Sequence, residues 1–469
     1  MAVNALIPSA GVPGHCDDLS YHEKTPVCSE LKWDTTQRYF PVAVIDTKSN
    51  FIDFAVPKSP SLYMDLSSLE VVLEGRFLRN DGQEITDRVE EDVIFPKSHF
   101  LRALFKQIEI YLNEVPIAQL SDSHHSIQDA VMHCLKDGYK EQDSSLSYER
   151  ILYDLDNDGP SETLHLKEAE EDEEERKYAL DRKKCSARVM QRYELSKGSN
   201  TFAARGKILP YGMRHLRYIP NNVNLRVRLV RSAPEYYIRQ WKPNTSGQAN
   251  HYFNIQSCEL RLDWYSLYQA PLLGLERALL RSPAILPFTY LKEHVQILPA
   301  NTQEYRIEKL HTPFIPENII AVCMKLSTLD GNLKSDQHSF DHCNISELEL
   351  LVDRDVRPGN CVFKNDFSDK DSLHESFATI ARNVGSCPAR SEFTPERFSK
   401  NRAVWLFRLT PKNVSDVPYT FPLVAGTVGM RVKFSQALSE THVLLIFTTE
   451  RASLKIEGSE RSVTVESYY

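Results

Sequence analysis

Two consecutive antiparallel β-sandwiches, an all-β chain, are predicted by period-two alternation in many short segments, by turn residues between them, and by the absence of a helix–strand rhythm. In residues 69–77, Leu69, Val71, Leu73 and Phe77 share one side, and Glu70, Glu74 and Arg76 the other, with Val72 the exception. That spacing gives a strand with one buried and one wet face. Asn80, Asp81 and Gly82 follow and tolerate the positive φ that a tight turn demands. Ile108, Ile110 and Leu112 repeat the alternation, and Asn113 and Glu114 supply the next turn.

The elements follow in order. Residues 1–35 mix Pro, Gly, Ser and His without periodicity and read as an extended arm. Residues 36–269 form the first sandwich, interrupted at about 121–185 by a helical and acidic insertion. A helix is expected over 121–135, with Ile127, Val131, Cys134 and Leu135 as its apolar stripe. Strands are expected to resume near Ala187 and run to Tyr268, where Cys258, Leu260, Leu262 and Trp264 oppose Glu259, Arg261 and Asp263. Residues 270–283 read as a short helical connector ended by Pro283. Its Leu272, Leu273, Leu275, Leu279 and Leu280 are expected to pack between or beneath the two sandwiches, because an exposed leucine-rich segment invites aggregation. The second sandwich spans 284–469, its clearest strands at 319–326, 348–352, 403–409, 428–434 and 443–448. In 403–409 both alternating sets are apolar, so both faces should be buried.

Composition bounds what such a chain does. At 469 residues it is too long for one ordinary core. With 41% hydrophobic and 26% charged residues it lies within the range of globular proteins. A net charge of −8 argues against a protein that coats nucleic acid. Arg226, Arg228 and Arg231 lie close together and leave a local basic face open, although the solvated face of one strand is the better reading. The nine cysteines include no Cys-x-x-Cys pair, and the odd count fits reduced thiols. The N-terminus lacks the basic start and apolar run of a signal peptide, and no stretch is long enough for a membrane span.

Candidate chemistry is sparse. Residues 154–159, Asp-Leu-Asp-Asn-Asp-Gly, match the first half of a calcium loop. His165 stands where a bidentate Glu is needed and Pro160 follows the Gly, so an Asx-rich turn is the better reading. His124, His125, His133 and Cys134, and separately His338, His342 and Cys343, form local sets too small for a four-ligand zinc site. Neither a phosphate loop, a nucleophile elbow nor a His-Glu-x-x-His motif occurs. Carboxylate pairs such as Glu90 and Glu91 carry meaning only in a cleft. The run 168–175 holds seven acidic side chains in eight positions and reads as a solvated, partner-facing or repulsive surface. The sequence therefore nominates no catalytic, cofactor-binding or metal-ligating residue, and no cofactor is expected.

Several phrases, in order, carry a resemblance. Residues 51–56 lead into the Tyr63-Met64-Asp65-Leu66 phrase. Residues 103–113 read Ala-Leu-Phe-Lys-Gln-Ile-Glu-Ile-Tyr-Leu-Asn, and 222–229 read Asn-Val-Asn-Leu-Arg-Val-Arg-Leu. Residues 275–279, the Phe-Pro-Leu phrase within 419–434, and 456–468 continue the series. In this order they resemble the major capsid proteins of Polinton (Maverick) elements and adintoviruses. The resemblance implies a jelly roll in each half and a homotrimeric, pseudo-hexagonal capsomer that tiles an icosahedral shell. It implies contacts with further copies, a vertex penton protein and other virion proteins, with packaged DNA met only indirectly. The chain would sit in the virion after assembly in host nucleus or cytoplasm. The acidic run departs from the family's pattern. The rival reading is a cellular two-domain carbohydrate-binding or adhesion protein; a glycoside-acting enzyme would need two opposed carboxylates that nothing nominates.

Overall fold

The computed structural model describes residues 30–45, 50–86, 92–120, 124–136, 151–153, 166–168, 178–180, 187–214, 216–240, 249–356, 361–384, 394–400, 402–410 and 422–467. The first 29 residues of the expected arm, Glu90 and Glu91, the 154–159 turn and all of the acidic run but Glu168 lie outside them.

Two sheets enclose the first core. One has the order β1 (Leu31–Tyr39), β13 (His251–Leu267), β3 (Leu62–Arg79), β10 (Phe202–Lys207) and β7 (Ile151–Tyr153). The other has the order β2 (Phe51–Val56), β11 (Leu225–Arg231), β5 (Phe105–Leu112) and β6 (Val115–Leu120). Pairing is antiparallel except between β7 and β10. Two small ladders add β4 (Ile94–Pro96) with β12 (Ile238–Gln240), and β8 (Leu166–Glu168) with β9 (Tyr178–Leu180). Leu69, Val71, Leu73 and Phe77 of β3 are buried against Leu260, Leu262 and Trp264 of β13 and Phe54, Ile110 and Val227 of the facing sheet. Residue 75 falls in the inward phase and is glycine because a Cβ there would stand 2.3 Å from the Asn254 carbonyl oxygen. Asn113 and Glu114 both take positive φ, as the two-residue turn between β5 and β6 requires. Trp33 and its neighbours already belong to β1, so ordered strand begins inside the segment expected to be an arm.

The second core lies between the sheet β14 (Ala284–Leu298), β22 (His442–Glu457), β16 (Asn318–Lys325), β20 (Val404–Arg408) and a sheet containing β15 (Glu304–His311), β21 (Val428–Phe434), β17 (Ile345–Val352) and β18 (Asp355–Val356). Two short strands extend these, β23 (Ser462–Ser467) on β22 and β19 (Val362–Lys364) on β17. Val404, Trp405, Leu406 and Phe407 are all buried, as alternation with two apolar sets demands.

Helices decorate this frame. Short turns of helix occur at α1 (Phe100–Ala103), α4 (Pro234–Tyr237) and α6 (Leu326–Leu329); the longer ones are α2 (His125–Lys136), α3 (Ala187–Ser196), α5 (Gln269–Leu279), α7 (Lys370–Val384) and α8 (Pro395–Lys400). Two sequence expectations are corrected here. Residues from Ala187 form α3, not a strand: Val189, Arg192, Tyr193 and Ser196 are buried at helical spacing, and two of them are polar, which hides the stripe. The helix α7 lies between the strands expected at 348–352 and 403–409, in a stretch that carries no expected element. The connector α5 buries only Leu279 completely, while Leu273, Leu275 and Leu280 are 49%, 44% and 66% exposed.

Candidate functional site

The two cores are not confined to their own halves. The apolar stripe of α2, Ile127, Val131, Cys134 and Leu135, lies in the sequence between strands of the first sandwich but packs into the second core. Conversely Leu286, Phe288, Leu454, Ile456 and Val463 from β14, β22 and β23 belong to the first core. Each half thus lends apolar side chains to the other, and the seam between them gathers many of the buried polar groups of the described chain.

Its first-half wall is the stretch before α1. Burial pushes Lys97 down to about 8, and its Nζ donates to the carbonyls of Glu235 at 2.7 Å and Asn332 at 2.8 Å. The Ser98 N–H donates to Asp336 Oδ2 at 3.2 Å, and its hydroxyl also donates to that carboxylate. From the other wall, the His338 backbone N–H and Nδ1 reach Asp336 Oδ1 at 3.0 and 2.9 Å. Burial makes the Asp336 charge costly, yet His338, Lys97 and Ser98 outweigh it and hold the carboxyl well below the usual range. Gln337 Nε2 donates to Ser126 on α2 at 3.4 Å, and the Gln240 N–H to the Leu333 carbonyl at 2.9 Å. Arg102 donates to the Lys207 carbonyl at 2.7 Å and stands 3.5 Å from Asp129 of α2, which Arg214 also engages.

Three imidazoles meet in this seam. The ring of His99 lies 5.0 Å from that of His338 and 6.0 Å from that of His133, centroid to centroid. His99 takes φ +50°, in the left-handed region, as the residue preceding α1, and neither of its ring nitrogens has a hydrogen-bond partner among the described residues. Burial, then the neighbouring imidazoles and Arg402, hold it well below the ordinary histidine value. Burial likewise holds His125 at about 3; its Nε2 donates to the Phe105 carbonyl at 2.7 Å.

The histidine sets noted in the sequence are therefore redistributed. His133 and His338 are brought together, with His99 as an unforeseen third; only the distant chain crossing unites them, and no local spacing signals it. His124 instead pairs with Glu293, 2.6 Å away, Cys134 is core, and His342 stacks on Phe367 at 4.1 Å. Among the described residues no group of three His, Cys, Asp or Glu side chains is placed to hold a metal ion. Ser98, His338 and Asp336 superficially form a hydrolytic triad, with Ser98 Oγ 3.4 Å from His338 Nδ1. The same Nδ1 faces Asp336, however, and the serine proton goes to the carboxylate, so His338 does not bridge the two groups as a proton relay must. Ser98 is also 1% exposed, closed to any substrate.

A second clamp closes the far end of the seam. Buried Arg461, between β22 and β23, donates through Nη2 to Asn221 Oδ1 at 2.8 Å and to both Glu276 oxygens at 2.7 Å, and through Nε to the Asn221 carbonyl at 3.1 Å. Two of the three clustered arginines of β11 meet carboxylates: Arg228 is bonded to Asp53 at 2.9 Å, and Arg226 lies 3.5 Å from Asp53 and from Glu114. No helix among the described residues is long and apolar enough to cross a membrane.

No family model matches the chain, and no curated protein matches it in sequence. Solved structures do match, nearly end to end. A chain of the Sputnik virophage structure aligns with TM-score 0.55 at 11% identity, covering 97% of this chain and 93% of that one. The mavirus major capsid protein aligns with TM-score 0.52 at 14% identity over 97% and 95%. The Faustovirus major capsid protein aligns with TM-score 0.54 at 8% identity over 92% of each chain. The chain has the double jelly-roll fold. The seam described above is accordingly the joint between two jelly rolls, and its polar and apolar exchange is what makes the double jelly roll one body.

Proposed function

We propose that this chain is the major structural protein of an icosahedral capsid, of the Polinton and adintovirus type, and that it is not an enzyme. The carrying observation is the alignment of both jelly rolls, over 92–97% of the chain, with the mavirus and Faustovirus major capsid proteins, which are of similar extent. The phrases shared with Polinton and adintovirus capsid proteins support the finer assignment. Locked sandwiches suit a wall block, since face-to-face sheets are stiff and the loops between strands are free for neighbour contacts. Three copies form a pseudo-hexagonal capsomer; penton and other virion proteins meet it at its rim, and the assembled chain resides in the virion. Exposed apolar side chains on the isolated chain, Phe40 and Val42 at 69% and Val44 at 93%, fit surfaces that further copies cover.

Size-exclusion chromatography with light scattering on purified protein, followed by electron microscopy, tests this. The expected result is a species of three times the chain mass, growing into shells or sheets as salt is varied. A monomer that stays monomeric at micromolar concentration in every salt condition would overturn the proposal.

A further inference from the structure

The seam contains a titratable group with no partner for a second proton. His99 is fully buried, and its ring faces imidazoles of α2 and of the 330s loop rather than a carboxylate. A protonated imidazole is a donor at both nitrogens and needs two acceptors. The nearest carboxylate, Asp336, is already engaged by Ser98 and His338. The charged and titratable groups around the seam are Lys97, His99 and Arg102 from the stretch through α1, His125, Asp129 and His133 from α2, Arg214, Glu235 and Arg239 from the following segments, and Asp336, His338 and Arg402 from the second jelly roll. Lysine and arginine thus already outnumber the carboxylates there among the described residues.

We propose that His99 is a proton-operated release for this seam: in mildly acidic water its ring gains a proton, leaves the cluster for solvent, and loosens the 97–103 stretch from the 330–338 loop. The lever is short. Lys97 and Ser98, which carry the hydrogen bonds to Asn332 and Asp336, immediately precede His99, and the left-handed backbone at His99 sets the direction of all three. A ring that swings out takes these donors with it, so the seam opens while the strands of each core stay paired. The inference concerns the single chain, and it stands whether or not the chain assembles.

The test is amide exchange by mass spectrometry at pH 7.5 and pH 5, corrected for the intrinsic pH dependence, on wild type and His99→Asn. Asparagine accepts the left-handed conformation and takes up no proton. In wild type, peptides covering 97–103 and 330–338 should exchange about tenfold faster or more at the lower pH, the effect of one unit of pKa difference between open and closed states. Peptides from β3 and β22 should stay protected. His99→Asn should abolish the acid response while matching wild type at pH 7.5. An unchanged seam in wild type, loss of protection in the whole molecule at once, or an equal acid response in the variant would each overturn the proposal. His125→Gln, which removes the other strongly shifted imidazole of the seam, should keep the acid response, and loss of the response in that variant would overturn the proposal. The assembly test at neutral pH is separate, so failure of one leaves the other readable.

Discussion

At the scale of single residues, the chain concentrates its cost and its cohesion in a few buried polar groups. Arg461 is the clearest: it is 1% exposed and joins the C-terminal hairpin to Asn221 and Glu276. Arg461→Ala should lower stability by about 3 kcal/mol, since it strands acceptors and a carboxylate. Glu276 is one-third exposed and can rehydrate, so Glu276→Gln should cost less; urea unfolding of the two variants measures both. Gly75→Ala should also destabilise, by about 1–3 kcal/mol through overpacking against Asn254, with β13 as the element displaced. The pH dependence has a definite sign. His99 and His125 lie below their unfolded value of 6.5, so the unfolded chain binds more protons and stability falls as pH drops beneath about 6.5. Each contributes a loss of about 1.4 kcal/mol per pH unit until its folded value is reached. His442 is shifted upward and acts in the opposite sense, whereas Asp336 and Asp129, held below the ordinary 3.8, yield only in stronger acid. Denaturant midpoints measured at half-unit steps from pH 7.5 to 4.5 should fall monotonically; a flat profile would place the two imidazoles in wet surroundings.

At the scale of elements, strands are far more legible in the sequence than helices. The alternation of 69–77, 258–264 and 428–434 reappears as buried and wet faces because each of these strands has a core on one side. The helix α3 escapes because Arg192 and Ser196 occupy its inward stripe, so hydrophobic periodicity is silent where helical periodicity is not. The stripe of α2 is legible but its destination is not, since nothing local says which of two cores a helix will fill. The histidine cluster is illegible for the same reason: His99, His133 and His338 are far apart in sequence and meet only through folding. In α5 the expectation is too simple. Leucines at 273, 275 and 280 face solvent in the single chain, while Leu279 is buried. Leu279→Asp should therefore destabilise by about 3 kcal/mol, by placing a charge in a packed site. Leu273→Ser with Leu275→Ser should stay within about 0.5 kcal/mol of wild type in the monomer. If these leucines serve a contact between copies, the pair should instead weaken assembly, which light scattering reads directly.

At the scale of the whole molecule, the exchange of side chains between cores has a thermodynamic consequence. Two sandwiches joined by a tether would melt independently, each with its own transition, as domains with separate cores do. Here α2 completes the second core from within the first half, and β14, β22 and β23 complete the first core from the second. β14 and β22 are long strands, 15 and 16 residues, and each contributes to both cores along its length. Unfolding either core removes the far end of a ladder that the other core requires, so intermediates with one sandwich intact expose a large apolar face. Calorimetry at pH 7.5 should accordingly give a single endotherm whose van't Hoff and calorimetric enthalpies agree. Leu135→Ala removes a side chain from the second core and should cost about 2–5 kcal/mol. The single endotherm should shift as a whole in that variant, with tryptophan fluorescence, to which Trp264 in the first core and Trp405 in the second both contribute, following the same curve. Two resolved transitions, in calorimetry and in fluorescence, would mean that the seam is a contact surface rather than a shared framework.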